Sequence, residues 1–347
     1  MSSSINKSAL LMKWLSLGAA LLMGVSNSYS QTISIDNEAG SAFKTPKRVV
    51  ISQFGVEFYT QYFVRGQSGK NVATQLTKLV GVSQPAMQSL VDNVYGEAVT
   101  KLKEAGFEVL DYAVLATDPE YQSLMKDVGK TSPYVVRDSV MTEGEHLSQV
   151  MAPAGMSAFY ASGGSSGGKI TGNRANMSDR IDSQNYKTGQ RESEIAKRLD
   201  ATLLKFNFLA NYGSAKASEN GFLGAFTQSA ARVAIEAGAV LVPFETQIQF
   251  VNAEGPRIFG NIKRSGQSGA FYLDKPMQGD KTFELADVTT SESKSGDAIS
   301  NAITGLFGGG GGRKNQALDV KADDKVYVAA FSKLLSTANE ALIKSLK

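Results

Sequence analysis

The stretch RVVISQFGVEFY, residues 48–59, is dense in β-branched and aromatic side chains. That composition is typical of a buried strand, so we expect residues 48–59 to form one. Apolar residues then recur at intervals of three and four over 87–105, which predicts a helix that Ser83 can cap and that ends before Gly106. FEVLDY, residues 107–112, predicts a second strand. The chain therefore opens with strand, helix and strand.

The segments further along add more strands and helices to this start. In chain order they are a short helix at 118–128, a short helix at 193–200, a half-buried strand at 201–212, a long strand at 239–251, a turn at 253–256 with a hairpin partner at 257–264, a short strand at 270–273 and an amphipathic helix at 323–346. Together these elements predict an α+β fold, with a mixed, largely antiparallel sheet, helices packed on one side and long loop insertions.

The first thirty residues have the three-part layout of a secretory signal. Lys7 and Lys13 precede an apolar run over 15–25, and small residues end the segment just before Gln31. The run is about half the roughly twenty residues that a membrane-spanning helix needs, so cleavage is favoured over an uncleaved anchor. We therefore expect 1–30 to be a cleaved signal peptide and the protein to work outside the cytoplasm.

The rest of the chain is predicted to form a single α+β domain over 48–347. Residues 31–47 are polar and predict a flexible lead-in. Loop insertions are predicted near 129–185 and 274–322, where glycine, serine and other polar residues interrupt any sustained period. The glycine run at 305–312 is typical of a linker or a loop tip.

Composition excludes several classes of function. The chain has no cysteine, which excludes disulfides, thiol catalysis, thiolate metal sites and a lipid-bearing N-terminal cysteine. It has 36 basic and 33 acidic residues, and this near balance gives no electrostatic case for binding nucleic acid. We therefore expect no nucleic-acid partner.

Two glycine-rich patterns overlap in the region 163–170. GSSGG, residues 164–168, matches a nucleophile elbow with Ser166 as the nucleophile. The single histidine, His146, precedes Ser166, whereas the base follows the serine in hydrolases that carry this motif. The glycines and lysine at 163–169 match a phosphate-binding loop, but Ile170 replaces the magnesium-binding Ser or Thr. A periplasmic serine hydrolase therefore stays as an alternative, and nucleotide binding is disfavoured.

Metal binding has little support in the sequence. The available ligands are carboxylates, such as the pairs Asp179 with Asp182 and Asp323 with Asp324, and scattered acids of this kind are usually solvated. His146 lies in a polar stretch and is expected to be an exposed loop residue. The sequence thus assigns no catalytic residue, no metal ligand and no cofactor site, and we expect a protein that is not an enzyme.

The order of these blocks resembles a family of envelope proteins. The blocks are the strand at 48–59, AGFEVL at 105–110, AKRLDATLL at 196–204, the hairpin turn at 253–256 and the C-terminal helix at 323–346. They are similar to the periplasmic domain of the curli-secretion channel family (CsgG-like) and, more loosely, to the N-terminal domain of TolB. They cover about half of the chain that follows the signal, and none of them is a chemical motif.

The resemblance implies a non-enzymatic component of assembly or secretion, located in the periplasm and associated with the outer membrane. It also implies a homo-oligomer that contacts envelope or secretion-machinery proteins. The chain departs from the family's channel in lacking a cysteine for lipidation and a convincing counterpart of its membrane hairpins. An outer-membrane pore-forming protein remains a second alternative, since the strands at 201–212 and 239–251 come near the length of membrane hairpins.

Overall fold

The computed structural model describes residues 33–68, 71–140, 144–159, 174–215, 235–258, 266–290 and 313–347. The strands in these ranges are β1 (Ile35–Glu38), β2 (Arg48–Ser68), β3 (Asn71–Val80), β4 (Glu108–Val109), β5 (Gly129–Lys130), β6 (Tyr134–Val140), β7 (Gly144–Met151), β8 (Ala158–Phe159), β9 (Thr202–Ala215), β10 (Ile235–Leu241), β11 (Gln247–Val251), β12 (Gly269–Leu273), β13 (Met277–Gln278), β14 (Glu284–Asp287) and β15 (Arg313–Lys321). The helices are α1 (Gln84–Glu104), α2 (Ala113–Ala116), α3 (Pro119–Val128), α4 (Arg174–Leu199) and α5 (Asp324–Lys344), with a short 3₁₀ helix at Gly40–Phe43.

Thirteen of the described strands form one mixed sheet, and β5 pairs with β8 in a separate small one. Among the described pairs, β2 with β9, β2 with β4 and β3 with β15 run parallel, and the others are antiparallel. The predicted α+β fold with a largely antiparallel sheet is confirmed. The strands predicted at 48–59 and 270–273 and the helices predicted at 118–128 and 323–346 are confirmed as well.

The long strand β2 organises the sheet because it has partners on both edges. Phe58 pairs with Gln149 of β7 and with Ala210 of β9, so β7 and β9 lie on opposite edges of β2. Gln61 pairs with both β7 and β3, so β3 also lies opposite β7. The first half of β2 thus borders β9, and its second half borders β3.

Helices cover both faces of the first half of β2. On one face, the ring of Phe54 contacts Tyr95 of α1, and Phe58 contacts Phe331 of α5. On the other face a smaller apolar cluster contains, from the strands, Val50, Leu203 and Val251 and, from α2, α3 and α4, Leu115, Tyr121, Leu124, Ile195 and Ala196. The predicted packing of helices on one side therefore describes α1 and α5, and α3 with α4 adds a second layer.

The Ser83 cap that the sequence predicts for α1 is confirmed, and α5 begins with a cap that the sequence analysis did not identify. The Ser83 hydroxyl accepts a hydrogen bond from the N–H of Ala86 at 3.3 Å, and Asp323 accepts one from Val326 at 2.8 Å. Gly106, just after α1, has a φ of 95°, which a residue without a Cβ adopts freely. Asp324, the first residue of α5, also accepts hydrogen bonds from the N–H and hydroxyl of Ser83, which ties the starts of α1 and α5 together.

The flexible lead-in predicted at 31–47 is wrong for the described residues 33–47. β1 pairs antiparallel with β12, and the short helix that follows buries Phe43 against Phe250, with ring centroids 5.1 Å apart. Because the sequence around Phe43 is mostly polar, no apolar pattern predicts that this residue is buried.

The loop insertion predicted near 129–185 is wrong for its described part. β6 and β7 form a hairpin, and β7 continues antiparallel along β2. Polar side chains at buried sheet positions concealed these strands: Ser148 donates a hydrogen bond to the Glu57 carboxylate at 2.5 Å, and both residues are buried. The short helix predicted at 193–200 is the end of the much longer α4.

The second predicted insertion, 274–322, also contains strands. β14 and β15 pair antiparallel, and β15 runs parallel to β3. Thr74 bonds Asn315 and Gln75 bonds Gln316 across this pair, between residues 241 positions apart in the chain. The glycine run at 305–312 lies outside the described residues.

Three predicted strands have different bounds or surroundings. The strand expected to be half-buried at 201–212 is β9, which is buried on both faces because α4 covers its polar side. The single strand expected at 239–251 is divided into β10 and β11 by a turn in which Phe244 has a φ of 62°. β11 pairs with β12 and β9, and most of its predicted hairpin partner, 257–264, lies outside the described residues. The strand expected at 107–112 is reduced to β4.

Replacing Ser83 with alanine should lower the free energy of unfolding by about 1 to 2 kcal/mol, because the substitution removes a helix cap. It also removes the hydroxyl that bonds Asp324. Chemical denaturation followed by circular dichroism measures the change. Thr100→Ala, at an exposed position within α1, is the matched control and should change stability far less. Equal effects of the two substitutions would contradict the capping role.

The stability of the protein should depend on the charge of Asp324 in acid. Hydrogen bonds from the N–H and hydroxyl of Ser83 hold the pKa of the Asp324 carboxyl below its ordinary value. A group of this kind stabilises the fold above its unfolded pKa, and the contribution is lost as the pH falls through the lower folded pKa.

Thermal unfolding followed between about pH 5 and pH 2 should therefore show a shallower pH dependence for Asp324→Asn than for the wild type. Glu97→Gln, at an exposed site on α1, is the control and should retain the wild-type slope. An unchanged slope in Asp324→Asn would show that the Ser83 contact does not stabilise the fold.

Candidate functional site

Several of the residues that suggest chemistry in the sequence cannot be placed. Ser166, the glycine-rich stretch 163–170 and the glycine run 305–312 lie outside the described residues. Asp179 and Asp182 lie on the described backbone of α4, with side chains outside the description. No distance from Ser166 to a base is therefore defined, and the hydrolase alternative stays a prediction.

His146 is not the exposed loop residue that the sequence predicts. It lies in β7, partly buried, with its ring centroid 4.4 Å from that of Tyr62. Its Nδ1 atom accepts a hydrogen bond from the backbone N–H of Phe63 at 3.2 Å, at the point where the pairing of β2 with β7 ends. The imidazole nitrogen thus accepts a hydrogen bond that a backbone carbonyl would accept if the pairing of β2 with β7 continued.

Of the carboxylates that the sequence predicts to be solvated, Asp323 is exposed and Asp324 is partly buried, and both hold helix ends, as described above. Among the residues that the structure describes, no three His, Asp or Glu side chains come together as a group that could hold a metal ion. These two aspartates therefore have a structural use of their own.

The most buried pair of charges in the described structure lies between α4 and β9. Lys205 Nζ is 2.8 Å from Glu192 Oε2, and the two side chains are 3% and 0% exposed. Gln53 Nε2 donates to the other Glu192 oxygen at 3.1 Å, and the Lys205 ammonium lies 5.7 Å from the ring centroid of Phe159. Burial lowers the pKa of Lys205, and the ion pair with Glu192 acts against that shift.

This buried pair joins α4 to the sheet. Arg191 and Arg198 of α4 reinforce the same docking from the exposed side, because they bond Glu120, Asp127 and Asp118 of the adjacent α3 segment. Replacing the hydrogen of Gly189 by a Cβ would bring that atom within 1.9 Å of the Gly266 carbonyl oxygen, so α4 also packs tightly on a turn. These contacts make the charged cluster a support for α4.

Two open clefts are lined by described residues. The larger, of about 680 Å³, lies beside the end of α3 and contains Lys126 and Lys130 in its lining. The smaller, of about 360 Å³, lies at the C-terminus next to Phe43. Glu192, Lys205 and His146 line neither of these two clefts. The buried ion pair and the imidazole therefore do not face either one.

Two open edges bound the second half of the sheet. Since β7 and β3 lie on opposite edges of β2, the strand order there is β6-β7-β2-β3-β15-β14. Of the described strands, only β7 pairs with β6 and only β15 pairs with β14. Within the described residues, the outer backbone edges of β6 and β14 therefore have no strand partner.

Exposed apolar side chains mark both edges. Leu285 of β14 is 46% exposed, Val288 just beyond it 45%, and Val135 of β6 48%. Natural proteins usually protect such edges with charges, bulges or covering segments, because an uncovered edge pairs readily with another chain. An edge strand that displays leucine and valine is therefore a candidate contact surface. β14 also carries Glu284 and Asp287, and β6 carries both Arg137 and Asp138.

Sequence reasoning missed these edges because it missed their strands. ELAD at 284–287 and RKNQALDVK at 313–321 lack the apolar runs that indicate a strand. A weak alternation in YVVRDSV, 134–140, is the only local signal for β6.

No family model matches the chain, and no curated protein or solved structure matches it either. Within the described residues, no helix has the length and apolarity required to cross a membrane. The resemblance to the curli-secretion channel family stays a prediction.

Replacing Lys205 with methionine should lower the free energy of unfolding by about 3 kcal/mol, because it leaves the buried Glu192 carboxylate without its ion partner. Denaturant titration measures the loss. Lys344→Met is the matched control: Lys344 pairs with Glu340 on the surface, with 73% and 46% of the side chains exposed. Its removal should cost well under about 1 kcal/mol. Equal losses would show that the buried pair does not hold α4 on the sheet.

Proposed function

We propose that this protein is a non-enzymatic component of envelope assembly or secretion that works through protein contacts as a homo-oligomer. One observation carries the proposal: the described sheet ends in two open edges that expose Leu285, Val288 and Val135. Apolar residues on an open edge favour a partner that supplies both a strand and a covering surface.

The surroundings of the chemistry-bearing side chains support a role through contacts. The imidazole of His146 accepts a backbone hydrogen bond, and the carboxylate of Glu192 bonds both Lys205 and Gln53. Asp324 holds the start of α1. Each of these groups already serves the fold.

The location is proposed from the N-terminal segment. The signal layout of residues 1–30 favours the periplasm, and the resemblance to the curli-secretion channel family favours association with the outer membrane. Envelope or secretion-machinery proteins are then the proposed partners.

Light scattering after size exclusion tests the proposal, with the full chain expressed so that any processing occurs, and with and without mild detergent. We expect a discrete multimer whose mass does not change on moderate dilution. A monomer at every concentration, in both solutions and with no membrane-fraction association, would refute the homo-oligomer.

The alternative functions give different results in parallel assays. A pore-forming protein would give conductance in planar bilayers. A serine hydrolase would cleave members of a panel of esters, and Ser166→Ala would abolish that activity. Either result would replace the proposed function.

A further inference from the structure

We infer that His146 forms a pH-sensitive contact between β7 and β2, which is closed while its imidazole is neutral and released when the imidazole is protonated. His146 is the single histidine of the chain, and it lies next to Leu147, the last residue of β7 that pairs with β2. Histidine is the side chain whose ordinary pKa, about 6.5, falls within the physiological range. The inference concerns regulation of the fold and does not depend on the proposed function.

The hydrogen bond at this position requires a neutral imidazole. Nδ1 of His146 accepts from the backbone N–H of Phe63 at 3.2 Å, and a ring nitrogen accepts only while it carries no proton. Protonation of Nδ1 places a second donor opposite the first, so that two N–H groups face each other. The contact then breaks, and the Phe63 N–H loses this acceptor.

An aromatic ring favours the imidazole at this place in both of its charge states. The ring centroid of His146 lies 4.4 Å from that of Tyr62, with the two planes inclined by 35°. A cation close to the face of an aromatic ring is attracted to it, so protonation strengthens this contact while it breaks the one with Phe63. Burial raises the pKa of the Tyr62 hydroxyl, which therefore stays uncharged where histidine titrates.

The charged residues of the surrounding strands influence the midpoint of the titration. Besides Tyr59, whose ring centroid is 6.1 Å from that of His146, the ionisable residues on the adjoining parts of these strands are Glu57 and Arg65 of β2, Lys78 of β3, Arg137 and Asp138 of β6 and Glu145 of β7. A nearby carboxylate favours the protonated imidazole, and a nearby cation disfavours it. These residues can move the midpoint, but the acceptor of the Phe63 N–H is the imidazole itself.

The contact holds the part of the β6–β7 hairpin that extends beyond the strand pairing with β2. That pairing ends with Gln61 and Leu147, whereas β6 and β7 pair with each other up to Val140 and Gly144. In the described residues, the edge of β2 after Gln61 that faces away from β3 has no strand partner. Protonation of His146 therefore releases the end of the hairpin and leaves this edge of β2 less protected.

Hydrogen exchange at the Phe63 amide tests the inference. It is followed by NMR on the full chain without an affinity tag, so that His146 gives the single imidazole signal. Between about pH 8 and pH 5, the protection of Phe63, corrected for the intrinsic pH dependence of exchange, should fall by roughly fivefold or more, as expected for the loss of one hydrogen bond. The fall should share its midpoint with the imidazole titration. The amide of Leu204, in the buried part of β9, is the internal control and should keep its protection.

Two substitutions of His146 should fix the contact in opposite states. His146→Asn supplies a neutral amide oxygen as the acceptor, so Phe63 should stay protected at pH 5 as at pH 8. His146→Phe keeps an aromatic ring but removes the acceptor, so the protection of Phe63 should be low at both values. Unchanged protection of Leu204 in both variants shows that the fold is retained.

Three results would overturn the inference: an imidazole that stays neutral down to pH 5, protection of Phe63 that is constant while the imidazole titrates, or a fall in His146→Asn equal to that in the wild type. Asp138→Asn separates the imidazole from its register partner on β6. This variant should retain the full fall in protection, with at most a shifted midpoint, and loss of the fall would overturn the inference in favour of Asp138. The mass of the oligomer, which tests the proposed function, is a separate measurement.

Discussion

The structure depends on one long strand, β2, which takes hydrogen-bonded partners on both of its edges. β2 has 21 residues, against the five or six that are usual, and no single neighbour covers its length. β9 pairs with its first half, β3 with its second half and β7 with the middle of the opposite edge. Each of these strands then brings its own partners into the sheet. Segments that are far apart in the chain are therefore organised around a single element.

The two halves of β2 have different surroundings. The first half is covered by α1 and α5 on one face and by α4 on the other, so its side chains form the core. The second half belongs to a row of strands that ends in the open strands β6 and β14. The first half thus lies in the core, and the second half leads to the two edge strands on which the proposed contacts rest.

Polar residues in this protein are used mainly to position elements. Glu192 and Lys205 hold α4 over β9, Asp324 joins the starts of two helices, and His146 completes a ladder of strand pairs. A buried ion pair adds little net stability compared with apolar packing, but losing one partner is costly, so such a pair specifies where α4 docks.

The sequence by itself determined the local features: the start of β2, the cap and the end of α1, the extent of α5, and the α+β class. Those signals are short-range, because apolar period and capping depend on residues within a turn or two. Only the tertiary structure decided that Lys205 is buried, that 134–151 is a hairpin, and that β15 lies beside β3. Pairing between residues about 240 positions apart depends on complementary strand edges and on the helices that cover them. The local sequence of each strand contains no signal that identifies its partner strand.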